Sequence, residues 1–131
     1  MANPDDARLK LLYAVDDNTF ATADTVVAGD AFDLIANVEI GGNIQENVDQ
    51  LDLFVGLRNL TRSTEVLTTA FSEPLTPDNN GTVNREVRID LGPGWKAEEG
   101  DVLEAVATLK VTYGANADYS FGRSDPIVVV S

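Results

Sequence analysis

One stretch, FDLIANVEI at residues 32–40, limits the possible folds of this chain more than any other. Its apolar side chains recur at every second position, at Phe32, Leu34, Ala36, Val38 and Ile40. A period of two is that of a β-strand, whose successive side chains point to opposite faces, whereas an amphipathic helix has a period of about 3.6. The pattern therefore predicts a strand that turns one face toward an apolar core.

Segments with the same period recur along the 131 residues of the chain. They lie at residues 8–15, 31–41, 51–60, 64–71, 82–91, 101–113 and 125–130. The first is expected to turn Leu9, Leu11, Tyr13 and Val15 to one face. Turn-forming sequences separate the segments, and this close spacing favours an antiparallel β-sandwich over a parallel sheet. We predict one all-β domain of about seven strands over residues 1–131, with a flexible N-terminal tail at 1–7.

The sixth segment also permits a helix, because KAEEGDVLEAVATLK at 96–110 is rich in helix formers. The residues that would share a helical face are Val102, Leu103, Val106 and Leu109. Gly100 interrupts that pattern, and the β-branched KVTY at 110–113 continues the segment. A strand is therefore the favoured interpretation.

Two Gly-Asp pairs introduce the second and sixth segments, in GDAFDLIA at 29–36 and GDVLEAVA at 100–107, and the chain ends in GRSDPIVVVS. With the count of seven strands, these features resemble immunoglobulin-like or fibronectin type III-like modules. The resemblance implies an immunoglobulin-like sandwich in which the second and sixth strands face each other across the core. The facing residues would be Phe32, Leu34, Ala36 and Val38 on one strand, and Leu103, Ala105, Ala107 and Leu109 on the other. The antibody-type cysteine pair is absent, and Trp95 precedes the sixth segment.

The charge and the missing residue types argue against several function classes. The chain carries 22 acidic and 9 basic residues, a formal net charge of −13, which disfavours nucleic acid and anionic membranes as partners. No run approaches the ~18 apolar residues of a membrane helix, so membrane insertion is not expected. It has no cysteine and no histidine, which excludes disulfides, thiolate and histidine metal sites and Ser-His-Asp triads. We do not expect an enzyme. A carboxylate hydrolase would need Trp95 beside a pair of acidic residues in a cleft, and nothing in the sequence links Trp95 to such a pair. Without a signal peptide, the chain is expected to be soluble and cytoplasmic as written, or secreted if a leader was removed.

Association with protein is the favoured function. The predicted strands leave apolar side chains on the face opposite the core, at Phe54, Leu60, Val102, Val106, Val128 and Val130. An exposed apolar face of this kind marks an interface, unless a loop or the N-terminal strand covers it. We predict a non-enzymatic structural or interaction module that forms a homo-oligomer or docks to a protein partner. The uncharged IVVV at 127–130 would also pair with another copy if it formed an exposed sheet edge.

A calcium-dependent carbohydrate- or protein-binding domain is the alternative function. Four predicted loops carry carboxylates, the kind of oxygen ligand that calcium prefers, and three of them supply the candidate ligands. The candidate ligands are Asp16, Asp17, Asp78, Glu98, Glu99 and Asp101. No EF-hand spacing is present, and a sequence such as DNNG at 78–81 is also typical of a tight turn. No other cofactor is expected.

Overall fold

A computed structural model of the chain describes residues 5–131. The elements are β1 (Ala7–Asp16), β2 (Thr25–Val27), β3 (Phe32–Ile40), α1 (Gly42–Gln45), β4 (Val48–Asn59), β5 (Thr64–Pro74), β6 (Val83–Leu91), β7 (Val102–Tyr113), β8 (Asn116–Arg123) and β9 (Ile127–Val130). The sixth predicted segment is a strand, β7, whereas β2 and β8 were not predicted. The expected tail at 1–7 lies partly outside the described residues, and Ala7, which is buried, already begins β1. Within residues 5–131, no helix is long and apolar enough to span a membrane.

Two sheets form the sandwich. Strands β1, β3 and β6 form one antiparallel sheet with β3 in the middle. The other sheet has the order β2-β9-β7-β4-β5, and β8 pairs with β7 along the edge that β9 also uses. Within it, β2 and β9 are parallel and the other neighbours are antiparallel. The predicted all-β sandwich is confirmed, with nine strands among residues 5–131 where about seven were predicted.

The core lies between β3 of one sheet and β4 and β7 of the other. The residues predicted to face each other across it are all buried in one cluster: Phe32, Leu34, Ala36, Val38, Leu103, Ala105, Ala107 and Leu109. Trp95 also belongs to this cluster, with its ring edge-on to Phe32 and 5.8 Å between ring centroids. Its Nε1 donates to the carbonyl of Asp30 at 2.8 Å. Trp95 is therefore a core residue whose one polar atom is satisfied.

The face predicted for the first segment is wrong beyond Leu9. A β-bulge shifts the pairing of β1 with β3 between Leu9 and Leu11. One extra residue in a strand turns every later side chain to the opposite face. Leu12 and Ala14 therefore join Leu9 in the core cluster, whereas Leu11 is 59% exposed and Val15, although buried, lies outside that cluster.

The two strands nearest the chain ends have neighbours along both sides. Strand β9 lies between β2 and β7, so it is not the exposed edge that its composition allowed. Strand β1 pairs with β3, and β8 covers its other side. There the N–H of Ala7 donates to Asp118 Oδ2 at 2.7 Å, and the N–H of Leu9 donates to Ser120 Oγ at 3.0 Å. Gly122 allows this approach, since a Cβ there would lie 3.1 Å from Leu9 Cδ2.

Candidate functional site

The outer face of the larger sheet is the first candidate site. Along β4 the residues that point into the core are at most 2% exposed, as predicted: Leu51, Leu53, Val55 and Leu57. The residues between them point outward, and they are Asp52, Phe54, Gly56 and Arg58. Phe54 is 51% exposed, so a large apolar side chain stands on the surface of the sheet.

Cross-strand pairing arranges this face in rows that run across β5, β4, β7 and β8. One row, here called the aromatic row, consists of Ala70, Phe54, Thr108 and Phe121. The next, the glycine row, consists of Thr68, Gly56, Val106 and Arg123. A groove of about 610 Å³ lies over these rows, lined by Phe54, Gly56, Val106 and Phe121 among others. Phe121 is 73% exposed, so it stands in solvent as Phe54 does.

Four charged residues surround the groove in alternating sign. Arg58 lies directly opposite Glu104, and Asp52 lies directly opposite Lys110. Lys110 Nζ also lies 5.9 Å from the centre of the Tyr119 ring. We call these four residues the charge square. They are two cations and two anions. Arg123 of the glycine row and Glu65, which pairs with Arg58 on β5, add one charge of each sign, so this face is locally neutral although the chain as a whole carries −13.

The residues predicted to form an interface divide between two parts of the outer face. Phe54 and Val106 line the groove. Leu60, Val102 and Val128 lie at the other end of the sheet, where the N–H of Leu60 donates to the Val102 carbonyl and Val102 pairs with Val128. Leu60 is 45% and Val128 is 38% exposed. The sixth residue, Val130, is half-buried and pairs with Val27 of β2.

Sequence reasoning missed Phe121, because β8 does not show the usual pattern. The residues of β8 that face β1 are small or polar, namely Asp118, Ser120 and Gly122, and its aromatic residues point outward. The available signal was the alternation of polar and aromatic residues in NADYSFGR. In this strand the polar or small residues face inward and the aromatic residues face solvent, the reverse of the usual pattern.

An acidic cluster at the outer surface of the smaller sheet is the second candidate site. It consists of Asp17, Asp33 and Asp90, each of which offers one oxygen within 4.8 Å of the others. Asp33 and Asp90 lie opposite each other on β3 and β6. Asp17 is brought to them by the turn after β1, where the N–H of Asn18 donates to Asp33 Oδ2 at 3.1 Å.

Arg88 neutralises part of this cluster. Its Nη1 lies 2.5 Å from Asp33 Oδ2, its Nη2 donates to the Thr19 carbonyl, and its guanidinium lies 4.6 Å from the centre of the Phe20 ring. Burial by itself would raise the pKa of Asp33, but the hydrogen bonds from Arg88 and Asn18 and the charge of Arg88 outweigh it and lower that pKa. Asp33 Oδ1 is buried and has no hydrogen-bond partner.

Asp17 experiences the opposite effect. Desolvation, followed by the charges of Asp33 and Asp90, raises the pKa of its carboxyl group. Three carboxylates facing one guanidinium leave an excess of negative charge, which a cation would relieve.

The six predicted metal ligands lie in separate places. Only Asp17 belongs to the acidic cluster, and Asp16 precedes it at the end of β1. Asp78 accepts from the Gln45 side chain and from the N–H of Asn80, beyond the other end of β3. The remaining three, Glu98, Glu99 and Asp101, lie just before β7.

Asp101 is already surrounded by donors. Its carboxylate accepts from the N–H of Glu98 at 3.0 Å, from Asn59 Nδ2 at 2.8 Å and from Arg62 Nε at 3.0 Å. These three hydrogen bonds, in that order of importance, lower the pKa of Asp101. Arg62 also pairs with Glu98. The group ties the β4–β5 turn to the start of β7, and its carboxylates are occupied by the chain itself.

Comparison with known proteins extends to the fold alone. No family model and no curated protein matches the chain. Among solved structures, it resembles a calcium-binding mutant of β-glucuronidase 2 from Bacteroides uniformis, with 12% identity over 90% of this chain and a TM-score of 0.58. It also resembles a β-glucuronidase from glycoside hydrolase family 2, with 10% identity over 97% and a TM-score of 0.57. A family 2 member from Bacteroides cellulosilyticus gives 8% identity over 96% and a TM-score of 0.51.

The chain corresponds to 14%, 13% and 15% of the lengths of those three chains. It therefore resembles one β-rich segment of each protein and not the whole enzyme.

Proposed function

We propose that the chain is a non-catalytic association module that binds a second copy of itself through the groove face. The observation that carries this proposal is the pair of solvent-exposed phenylalanines, Phe54 and Phe121, on an otherwise regular sheet face. Exposed aromatic side chains of this size contribute little to the stability of a monomer, whereas they dominate the energetics of interfaces.

The charge distribution supports a second copy as the partner. A chain with a net charge of −13 repels its own kind at long range. At physiological salt that repulsion is screened within about 8 Å, so the charges in the contact itself decide. The charge square sums to zero, and so do Arg123 and Glu65 beside it, so this face meets its copy without a local excess of either sign.

The test is the mass in solution of three proteins: wild type, Phe54→Asp and Leu11→Asp. Leu11 is a matched control, since it is a similarly exposed apolar residue on the other sheet. We expect sedimentation velocity to show a concentration-dependent dimer for the wild type and for L11D, and a monomer for F54D. Circular dichroism should show that all three are folded. A wild type that stays monomeric at millimolar concentration would refute the proposal, as would an F54D variant that dimerises normally.

A second candidate function, calcium binding, is favoured by one specific observation at the acidic cluster. Asp33 is 1% exposed, yet its Oδ1 has no hydrogen-bond partner in a site that two further carboxylates share. A buried oxygen without a donor is costly, and a bound cation would satisfy it. We propose that Ca²⁺ binds there, with Asp17, Asp33 and Asp90 as ligands and with water completing the shell.

The test is thermal unfolding with 5 mM Ca²⁺ against EDTA, for the wild type and for Asp90→Asn. A site with a Kd of about 0.5 mM would stabilise the fold by about 1.4 kcal/mol, which is about 5 °C in Tm for a chain of this size. The increase should be lost in D90N, while a Glu99→Asn variant should keep it. A Tm that is the same with Ca²⁺ and with EDTA would exclude the site.

A further inference from the structure

We infer that the second copy docks on the groove face with its β4 and β7 strands antiparallel to those of the first, so that the aromatic row of each copy lies over the glycine row of the other. This inference rests on the proposed function and specifies the geometry of the dimer. It follows from the sizes of the side chains in the two rows and from the signs of the charges in the charge square.

The symmetry of a face-to-face dimer leaves two aligned arrangements. Two identical faces that pack on each other are related by a two-fold axis that lies in the plane of the contact. If the axis runs across the strands, the strands of the copies are antiparallel and each row lies over a different row. If it runs along the strands, they are parallel and each row lies over its own counterpart.

The sizes of the side chains in the two rows favour the axis that runs across the strands, because large side chains then lie over small ones. With the axis midway between the rows, Phe54 lies over Gly56 of the other copy, and the same contact occurs twice. Phe121 then lies over Arg123, a suitable cation–π partner. The alternative axis places four phenylalanine rings in one line and leaves an unfilled space over each Gly56, and voids of this kind cost stability.

The charge square is complementary in this arrangement. Its two charged pairs lie equally far from the axis, about 10 Å on either side at about 3.3 Å per residue. Turning one copy over therefore places Arg58 over Asp52 and Glu104 over Lys110. Opposite signs meet in all four contacts, and the long side chains of Arg58 and Lys110 span the lateral shift that a crossing angle of about 30° produces.

The area of the groove face limits the stability of the dimer. Four strands at about 4.8 Å and eight residues at about 3.3 Å cover about 500 Å² on each copy. The dimer then buries about 1,000 Å² in total, the lower end of the range for specific interfaces. A weak and reversible dimer is expected, in which the charge contacts strongly affect the dissociation constant.

Swapping charges within a pair tests the arrangement without changing the net charge. The R58E/E104R variant keeps opposite charges at its own 58–104 pair, although it loses the attraction between position 58 and Glu65 of β5. In the antiparallel dimer it places like charges against the other copy. We expect its dimer to dissociate with a Kd at least about tenfold higher than that of the wild type. D52K/K110D should behave in the same way. The quadruple variant that combines both swaps restores all four contacts and should dimerise like the wild type.

Sedimentation equilibrium at 150 mM salt gives the four dissociation constants. In the parallel arrangement each swapped pair meets its own counterpart, so all four proteins would have the same Kd. Equal constants, or a quadruple variant as weak as the two double variants, would overturn the inference. Because F54D tests association itself, a dimer that F54D abolishes and the swaps leave unchanged would refute this geometry and leave the proposed function intact.

Gly56→Leu gives an independent test of the contact under Phe54. A Cβ at position 56 would lie 3.5 Å from Val106 Cγ2, an ordinary contact, so the fold should accept the substitution. The added side chain fills the space that the antiparallel dimer assigns to Phe54 of the other copy. We expect G56L to be folded by circular dichroism and monomeric by sedimentation, and a folded G56L that dimerises like the wild type would contradict the inference.

Discussion

Replacing Arg88 with methionine should destabilise the fold far more than removal of an ordinary surface cation. The Asp33 side chain is 2% exposed, and its Oδ2 depends on Arg88 Nη1 at 2.5 Å. Methionine retains the aliphatic part of the side chain but leaves a buried carboxylate without its counter-charge. Breaking a buried ion pair in this way costs about 3–5 kcal/mol.

The expected change in Tm follows from the size of the chain. Unfolding entropies are about 2.1 cal/mol/K per residue, which gives about 0.28 kcal/mol/K for 131 residues. A loss of about 3 kcal/mol therefore lowers the Tm of R88M by about 11 °C. The control is Lys10→Met, which removes a cation that is 51% exposed and lies 3.1 Å from Glu39. Exposed pairs contribute at most about 1 kcal/mol, so K10M should lower Tm by less than about 4 °C.

The pH dependence gives a second readout. In the wild type the folded pKa of Asp33 is lowered, so the stability it contributes is present at neutral pH and is lost as pH falls through that folded pKa. In R88M burial dominates and should raise the folded pKa above the unfolded value of about 3.9, so protonation relieves the penalty as pH falls. The Tm difference between the two proteins should therefore narrow on acidification.

The assay is thermal unfolding followed by Trp95 fluorescence from pH 7 to pH 4. A D33N/R88M double variant should recover most of the lost Tm at pH 7, since it removes the buried charge along with its partner. The reasoning is refuted if R88M and K10M lose similar amounts at pH 7, or if the R88M deficit does not depend on pH.

Three further predictions concern single sites. Asp101 has a lowered folded pKa, so its contribution is complete above about pH 5 and is lost as pH falls below about 4; the Tm difference between wild type and Asp101→Asn should shrink over that range. Leu12→Ala should cost about 2–4 kcal/mol in urea unfolding and Leu11→Ala less than about 0.5, because the bulge buries Leu12 and exposes Leu11; equal losses would contradict the bulge. Gly122→Ala should destabilise by about 1–2 kcal/mol because its Cβ would press on Leu9, and an unchanged midpoint would show that β8 can move away from β1.

The sequence predicted those parts of the fold in which burial alternates strictly. Strands β4 and β7 bury alternate residues under the opposite sheet, so their apolar residues recur at every second position and identify the core face. Strand β3 is buried on both faces, but its core positions are still apolar at every second residue, whereas Asp33 and Glu39 lie on its other face. The same reasoning failed in β1, since a bulge after Leu9 has no signature in composition. It also missed β8, whose inward positions need small or polar side chains to meet the backbone of β1.

The candidate sites were predicted only in part for a related reason. Phe54 and Val106 were found because an outward apolar residue is visible once the inward face of its strand is known. Asp33 and Asp90 were not, because each is a single polar residue in a strand, and only the pairing of β3 with β6 places them together. Acidic loops drew attention instead, and the Asp101 group shows that such residues can be fully occupied by donors of the chain itself.

The occupied sides of β1 and β9 have a consequence for how large an assembly can become. An unpaired strand accepts another strand and then offers a new unpaired side, so contacts made in that way lengthen without limit into fibres. Here the strands nearest both chain ends are already matched within the molecule. Neither of these strands can start such a fibre, so growth by strand addition would have to begin at β5 or β6, which are outer strands of the two sheets.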